Sequence, residues 1–333
     1  MEKGYMLRMK RNFETCHSVM LPKLAAAAIF FAGCFAIRSV AQQQGQKTFS
    51  SPQEAVNALV TAAQTDDEKA LLDILGPDGK QIISSGDNIE DAQNRTNFLQ
   101  RYQEMHRLVK EPDGTTTLYV GAENWPLPIP LASKAGFWYF DTPAAKQEIL
   151  YRRIGRNELS AIRVCQELVA AQKEYNAGHF KYARKFFSDE GQHNGLYWKA
   201  GAGEPQSPIG PLVASAVSEG YPPPRSDHSP IPFRGYYYRI LTRQGADAPG
   251  GRKSYLVDGK MTAGFAFLAY PAEYRSSGVM TFIVGEDGVV YRKDLGKNTS
   301  ALASTMQEYN PNSSWKKEED LQEKTAGGQT NNP

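Results

Sequence analysis

The chain has 333 residues and a formal net charge of +2, with 41% hydrophobic and 22% charged residues. Six of its 38 basic and two of its 36 acidic residues lie at positions 1–41, leaving a slightly acidic remainder. That balance excludes the concentrated basic face of a nucleic-acid-binding protein. Of three cysteines, only Cys165 lies beyond residue 41, which excludes an intramolecular disulfide there.

Residues 1–41 read as a signal peptide. Lys3, Arg8, Lys10, Arg11 and Lys23 precede an uncharged apolar run at 24–37, and Ser39-Val40-Ala41 supplies a small-x-small cleavage site. The run is shorter than the about 20 residues that a bilayer core requires. No other run approaches that length, so no membrane span is expected after cleavage and the body is expected outside the cytoplasm, in the periplasm or secreted. Phe31-Ala32-Gly33 before Cys34 leaves a second reading, a lipoprotein signal. A flexible polar segment, 42–50, leads into the body.

Ser51-Pro52-Gln53-Glu54 is a helix start, with a cap, a proline in the first turn and a capping-box acid. A second helix carries Leu71, Leu72 and Leu75 and stops at Gly76-Pro77. The spacing of Phe98, Tyr102 and Met105 predicts a third over 91–109. Strands are expected at 115–120 and 137–140. Between them, the alternating prolines of Trp125-Pro126-Leu127-Pro128-Ile129-Pro130 confine that stretch to an edge or a connector. Helices followed by strands predict an α+β domain over 51–150, in an order resembling NTF2-like and cystatin-like folds.

A long amphipathic helix is predicted over 157–177, with Ala161, Ile162, Cys165, Leu168, Val169, Gln172 and Tyr175 on one stripe. It opens a second α+β domain, 151–315. A Gly/Pro-rich structured loop over 195–232 precedes strands at 235–241 and 261–270. A hairpin then pairs 279–284 with 289–292 across Glu286-Asp287-Gly288. The tail, 316–333, has almost no apolar residues and is expected to be disordered.

Several strings carry a resemblance: ILGPDG (74–79), SSGD (84–87), NWPLPIPL (124–131), RRIGRNELSAI (152–162), GLYW (195–198), SPIGPL (207–212), GYYYRILTRQG (235–245), GFAFLAYPAEY (264–274) and GVVYRKDLG (288–296). Over residues 50–315 the chain resembles a bacterial exported family known only as domain of unknown function 2950. The resemblance implies export and a two-part architecture, and no reaction. Relatives often carry an acidic insertion where this chain runs YNAGHFKY (175–182), so no calcium loop is expected there. Asn157-Glu158, Ala161-Ile162, Ala171-Gln172, Tyr175 and Tyr182-Ala183 are also similar to the helix of type IV pilin-like globular domains. That likeness implies a helix laid on an antiparallel sheet.

Cys165 sits on the apolar stripe and reads as an inert core residue. His106, His179, His193 and His228 have no metal-ligand spacing, so neither a metal nor another cofactor is expected. His193 near Ser188, Asp189 and Glu190 suggests either acid–base chemistry or a solvated helix end. Ser207 lacks a nucleophile elbow. The paired aromatics at 138–140, 197–198 and 236–238 read as core or as a carbohydrate-stacking surface. No catalytic residue is assigned. Arg152, Arg153, Arg156 and Glu158 are the candidate site: an anion-binding group at a helix start, or a bridge between domains through carboxylates such as Asp141 or Glu148. Together these predict a non-enzymatic protein binding an unidentified envelope partner or ligand. The alternatives are a polymer hydrolase with two carboxylates about 5–9.5 Å apart and an accessory part of a pilus-like or secretion assembly.

Overall fold

Helix ends in the first half are set by short polar side chains. In the computed structural model, which describes residues 43–223 and 230–318, the Ser51 hydroxyl accepts from the Glu54 amide and opens α1 (Pro52–Gln64). The Glu54 carboxylate reaches back one residue further than a capping box requires, accepting from the Ser50 amide and hydroxyl at 2.9 and 2.6 Å. Asp67 caps α2 (Glu68–Leu75), which stops at Gly76 with φ +74°. A single 3-10 turn, Pro77–Gly79, leads to α3 (Lys80–Ile83), and Asp87 caps α4 (Asn88–Glu104). The signal-peptide expectation lies outside the described residues.

The predicted helix over 91–109 ends early. Met105 is extended, and the next residues form β1 (His106–Lys110). They pair antiparallel with β2 (Thr116–Val120), and Gly114, at φ +89°, lies in the connecting turn. Sheet pairing here overrides a helical spacing of aromatics. β3 (Trp125–Pro126) touches β2 alone, as its prolines require. β4 (Leu131–Lys134), directly after the proline-rich run, pairs with β2 and β5 (Phe137–Phe140), giving the order β1-β2-β4-β5. A hydrophobic cluster including Val56, Leu59, Leu71, Ile74, Leu118, Leu131 and Phe140 joins the helices to this sheet.

The long helix is nearly twice its predicted length. α5 (Thr142–His179) has 38 residues, a rod of about 57 Å. Asp141 caps it, Pro143 lies in its first turn, and Phe180 ends it in the left-handed conformation. Residues 150 and 151, the expected domain boundary, are consecutive residues inside it. Its buried stripe of Ala161, Ile162, Cys165, Leu168, Val169, Gln172 and Tyr175 matches the sequence reading. No helix among the described residues is long and apolar enough to cross a membrane.

The 195–232 loop contains a helix, α6 (Gly210–Ser218), that its prolines concealed. The chain then forms β6 (Tyr236–Leu241) and four two-residue strands: β7 (Arg243–Gln244), β8 (Lys253–Ser254), β9 (Leu256–Val257) and β10 (Lys260–Met261). β11 (Ala266–Pro271), β12 (Met280–Gly285) and β13 (Val290–Asp294) follow, then α7 (Thr299–Thr305), β14 (Glu308–Tyr309) and β15 (Lys316–Lys317). The principal sheet is antiparallel, ordered β15-β13-β12-β11-β6, with α5 packed on its central strands. A second cluster, including Leu168, Tyr236, Phe265, Phe267, Phe282 and Ile283, joins α5 to the sheet and extends over its other face. The expected tail begins later than residue 316, because Lys316 and Lys317 pair with β13; residues 319–333 lie outside the described part. The fold is α+β, and its described residues fall in one compact unit.

Candidate functional site

Because α5 starts at Thr142, its arginines have a different setting from that of a helix start. They sit in the helix interior rather than at its amino terminus, so the exposed N–H groups that would help them hold an anion lie some ten residues upstream, at Asp141. Their partners are only partly those expected, and the expected Glu148 lies on the same helix. Arg152 pairs with Glu148 at 2.6 Å, one turn back on the same helix and largely exposed, so it bridges nothing. Asp141 caps its own helix, accepting from the Ala144 amide.

Arg153 is 7% exposed and donates to the carbonyls of Gln81 (2.8 Å) and Ile82. Arg156 pairs with Glu90. Asn157 donates to the Ser277 carbonyl at 3.1 Å and approaches Glu90 at 3.4 Å. Glu158 accepts from the Val279 and Met280 amides at 3.0 and 2.9 Å, fixing the entry to β12. One face of α5 thus ties the segment before α4 to the strand-bearing half.

Asp87, buried in the SSGD string, completes this joint. One carboxylate oxygen caps α4 through the Glu90 amide. The other accepts from the Tyr221 hydroxyl at 2.8 Å and the Gly235 amide at 2.9 Å. Nearby, Asp91 accepts from the Ser85 amide. Burial raises the carboxyls of Glu90 and Asp91 above their ordinary range, although Arg156 and Arg153 pull the other way. Burial likewise lowers the Arg153 guanidinium, against the attraction of Asp91 and Glu90. The signal for Asp87 in the sequence was the Asp87-x-x-Glu90 spacing at a helix start. Its long-range partners left no sequence trace.

The other candidates find structural places. Cys165 is fully buried and its thiol is pushed up to about 12 by burial, the setting of an inert cysteine. His193 stacks on Trp198 at 4.4 Å, while the Ser188 hydroxyl accepts from Gly195 and Asp189 pairs with Lys185 and Asn194. His179 and His106 stack on Tyr175 and Tyr102, and His228 lies outside the described residues. Ser207 is buried in the turn before α6, its carbonyl accepting from Gly210. Tyr139, Phe140 and Tyr236 are core residues. Tyr237 and Tyr238 are half-buried and line something else.

They form one wall of a pocket of about 500 Å³, within the 300–1,000 Å³ typical of ligand sites. α5 contributes Val164 and Leu168, α6 contributes Leu212 and Val213, and Phe186 and Phe233 come from the connecting segments. The described lining is apolar and aromatic apart from Arg184, Lys185 and Arg239, and contains no carboxylate. Lys185 is held by Asp189, and Arg239 donates to the carbonyls of Ala303, Ser304 and Met306 around the end of α7. Arg184 donates to the Gly259 carbonyl at 3.2 Å and is otherwise exposed. Sequence reading missed this pocket because its walls come from segments distant in the chain.

Among known proteins, a family described as "Protein of unknown function (DUF2950)" matches residues 46–318. No curated protein and no solved structure matches the chain.

Proposed function

We propose, from the premise that this chain belongs to the DUF2950 family of proteins of unknown function, that it is an exported, non-enzymatic binding protein of the cell envelope whose binding site is the pocket between α5, α6 and β6. The observation that carries this reading is the chemistry of the lining. Val164, Leu168, Leu212, Val213 and Phe233 offer apolar area for burial, which at about 25 cal/mol per Å² is the main source of affinity such a site can supply. Acid–base hydrolysis needs a proton donor and acceptor at the bond to be cleaved, and no carboxylate stands among the described lining residues. Arg153 and Arg156 tie α5 to the segment at 81–90 and leave the pocket to recognition. The amino-terminal leader supports an envelope location.

In-cell crosslinking tests this. A photoreactive phenylalanine replaces Val213 in the pocket or, as a control, Leu302, which is 49% exposed on α7. The expected result is a reproducible adduct from position 213 that position 302 does not give. Mass spectrometry of the same preparation is expected to find an amino terminus at Gln42. Equal crosslinking from both positions would remove the pocket from the reading, and an intact leader would remove export.

A further inference from the structure

β6 is the last strand of the principal sheet, bonded on one side to β11. What its other side presents follows from the parity of an antiparallel ladder, in which the amide and carbonyl of a residue point the same way and alternate along the strand. The Gly235 carbonyl accepts from Ala272, so residue 235 faces β11. Tyr236 exchanges both of its backbone bonds with Phe233 across the two-residue turn Arg234-Gly235, so residue 236 faces outward. In the unbroken register that follows, Tyr238 and Ile240 also face outward, opposite Ala269 and Phe267. Phe233 covers the edge at Tyr236, and Tyr255 covers it again at the Thr242 carbonyl. Between them, the backbone groups of Tyr238 and Ile240 have no protein partner among the described residues.

This open stretch lies in the pocket wall, flanked by Phe186, Leu212 and Val213. Exposed strand edges are normally blunted by charge, proline or a covering element. Here the outward residues are Tyr238 and Ile240, and what faces them is an apolar cavity. Unpaired backbone donors and acceptors beside apolar side-chain pockets are the two requirements of strand addition, where main-chain bonds give affinity and alternate side chains give specificity. The charged residues of the described lining are all positive, exposed Arg184 among them, with no carboxylate in that described lining. We infer that the pocket takes an extended peptide segment of a partner protein, which pairs with β6 at Tyr238 and Ile240, buries alternate apolar side chains, and carries an acidic residue toward Arg184. The inference rests on the proposed function above, since it names the occupant of the same pocket.

Parity supplies the test. The amide of Ile240 is not used by β11, so Ile240→Pro removes an outward donor while sparing the inward ladder. Leu212→Trp fills the pocket and leaves the edge intact. A displayed library of random seven-residue peptides is selected on the purified protein, and selected peptides are titrated against both variants after circular dichroism shows that each is folded. The expected outcome is enrichment of sequences with alternating apolar residues and an acid. Affinity is expected to fall at least tenfold in both variants and to weaken in Arg184→Gln. Should Ile240→Pro fail to fold, outward pairing is read from hydrogen exchange of the Tyr238 and Ile240 amides, which slows on binding. No enrichment above the Leu212→Trp background, or full binding by Ile240→Pro, overturns the inference. The apolar dye N-phenyl-1-naphthylamine separates the two claims. Binding lost in Leu212→Trp without any peptide selected leaves the pocket standing and the peptide excluded, whereas equal dye binding in both proteins removes the pocket as well.

Discussion

At the scale of single residues, the joint around α5 centres on the buried Asp87, Asp91, Arg153 and Asn157, each with its hydrogen-bond partners. Asp91 is the clearest test of its electrostatics. Burial raises its carboxyl above the ordinary value of 3.8 despite Ser85 and Arg153, so the folded protein binds this proton more tightly than the unfolded chain. Stability from this group is therefore fully present below the ordinary value and is lost as pH rises through the raised one. Relative to Asp91→Asn, whose amide oxygen still accepts from Ser85, the wild type is expected to gain stability as pH falls through that window. Urea midpoints of both proteins between pH 3 and 7 check this, and a difference that is constant or of opposite sign contradicts it. Gly235 is the clearest steric test. Its φ is +78°, and an added Cβ would lie 2.4 Å from the Asn157 Nδ2, which is held by the Ser277 carbonyl. Gly235→Ala is expected to cost roughly 2–4 kcal/mol, combining left-handed strain with displacement of Asn157.

At the scale of elements, α5 carries two glycines that nothing requires. Neither Gly155 nor Gly178 has a positive φ, and a Cβ at either would meet open space. Gly155→Ala is expected to stabilise the protein by about 0.5–1 kcal/mol, through helix propensity and a less disordered unfolded chain. An unchanged or lower thermal midpoint would mean that the helix is less regular here than described. Much of the element pattern was legible in the sequence. Ser51 and Gly76 mark helix ends because a cap or a left-handed residue is a local requirement, and the β12–β13 hairpin follows from Asp287-Gly288. The first half of α5 was not read, because the Arg152–Gly155 stretch has the look of a boundary, while the true start, Asp141 with Pro143, follows directly on a strand. β1 was missed for the opposite reason: its pairing with β2 is a tertiary contact that overrode a helical spacing.

At the scale of the whole molecule, two hydrophobic clusters share one continuous helix and one polar joint. Trp125 and Trp138 pack against the first cluster, and Trp198 and Trp315 belong to or pack against the second. Unfolding is expected to be a single transition by tryptophan fluorescence and circular dichroism alike. Arg153→Met removes two buried charge-assisted bonds and strands the carbonyls of Gln81 and Ile82. It is expected to cost about 3 kcal/mol and to separate the transitions of the two clusters; coincident curves in the variant would contradict the role given to the joint. The α+β class was visible from patterning. The pocket was not, because no local signal announces a cavity whose walls come from α5, α6, β6 and the segments between them. Nor does composition reveal which backbone groups of β6 turn away from β11, since that depends on the parity set at Arg234-Gly235.

The measurement closest to the central claim is a fluorescence titration of the purified protein with N-phenyl-1-naphthylamine, set beside the same titration of Leu212→Trp. Saturable binding at one site, weakened at least tenfold in the variant while its thermal midpoint holds, is the result expected of a recognition pocket between α5, α6 and β6. Binding that is absent from the wild type, or undiminished in the variant, would contradict it.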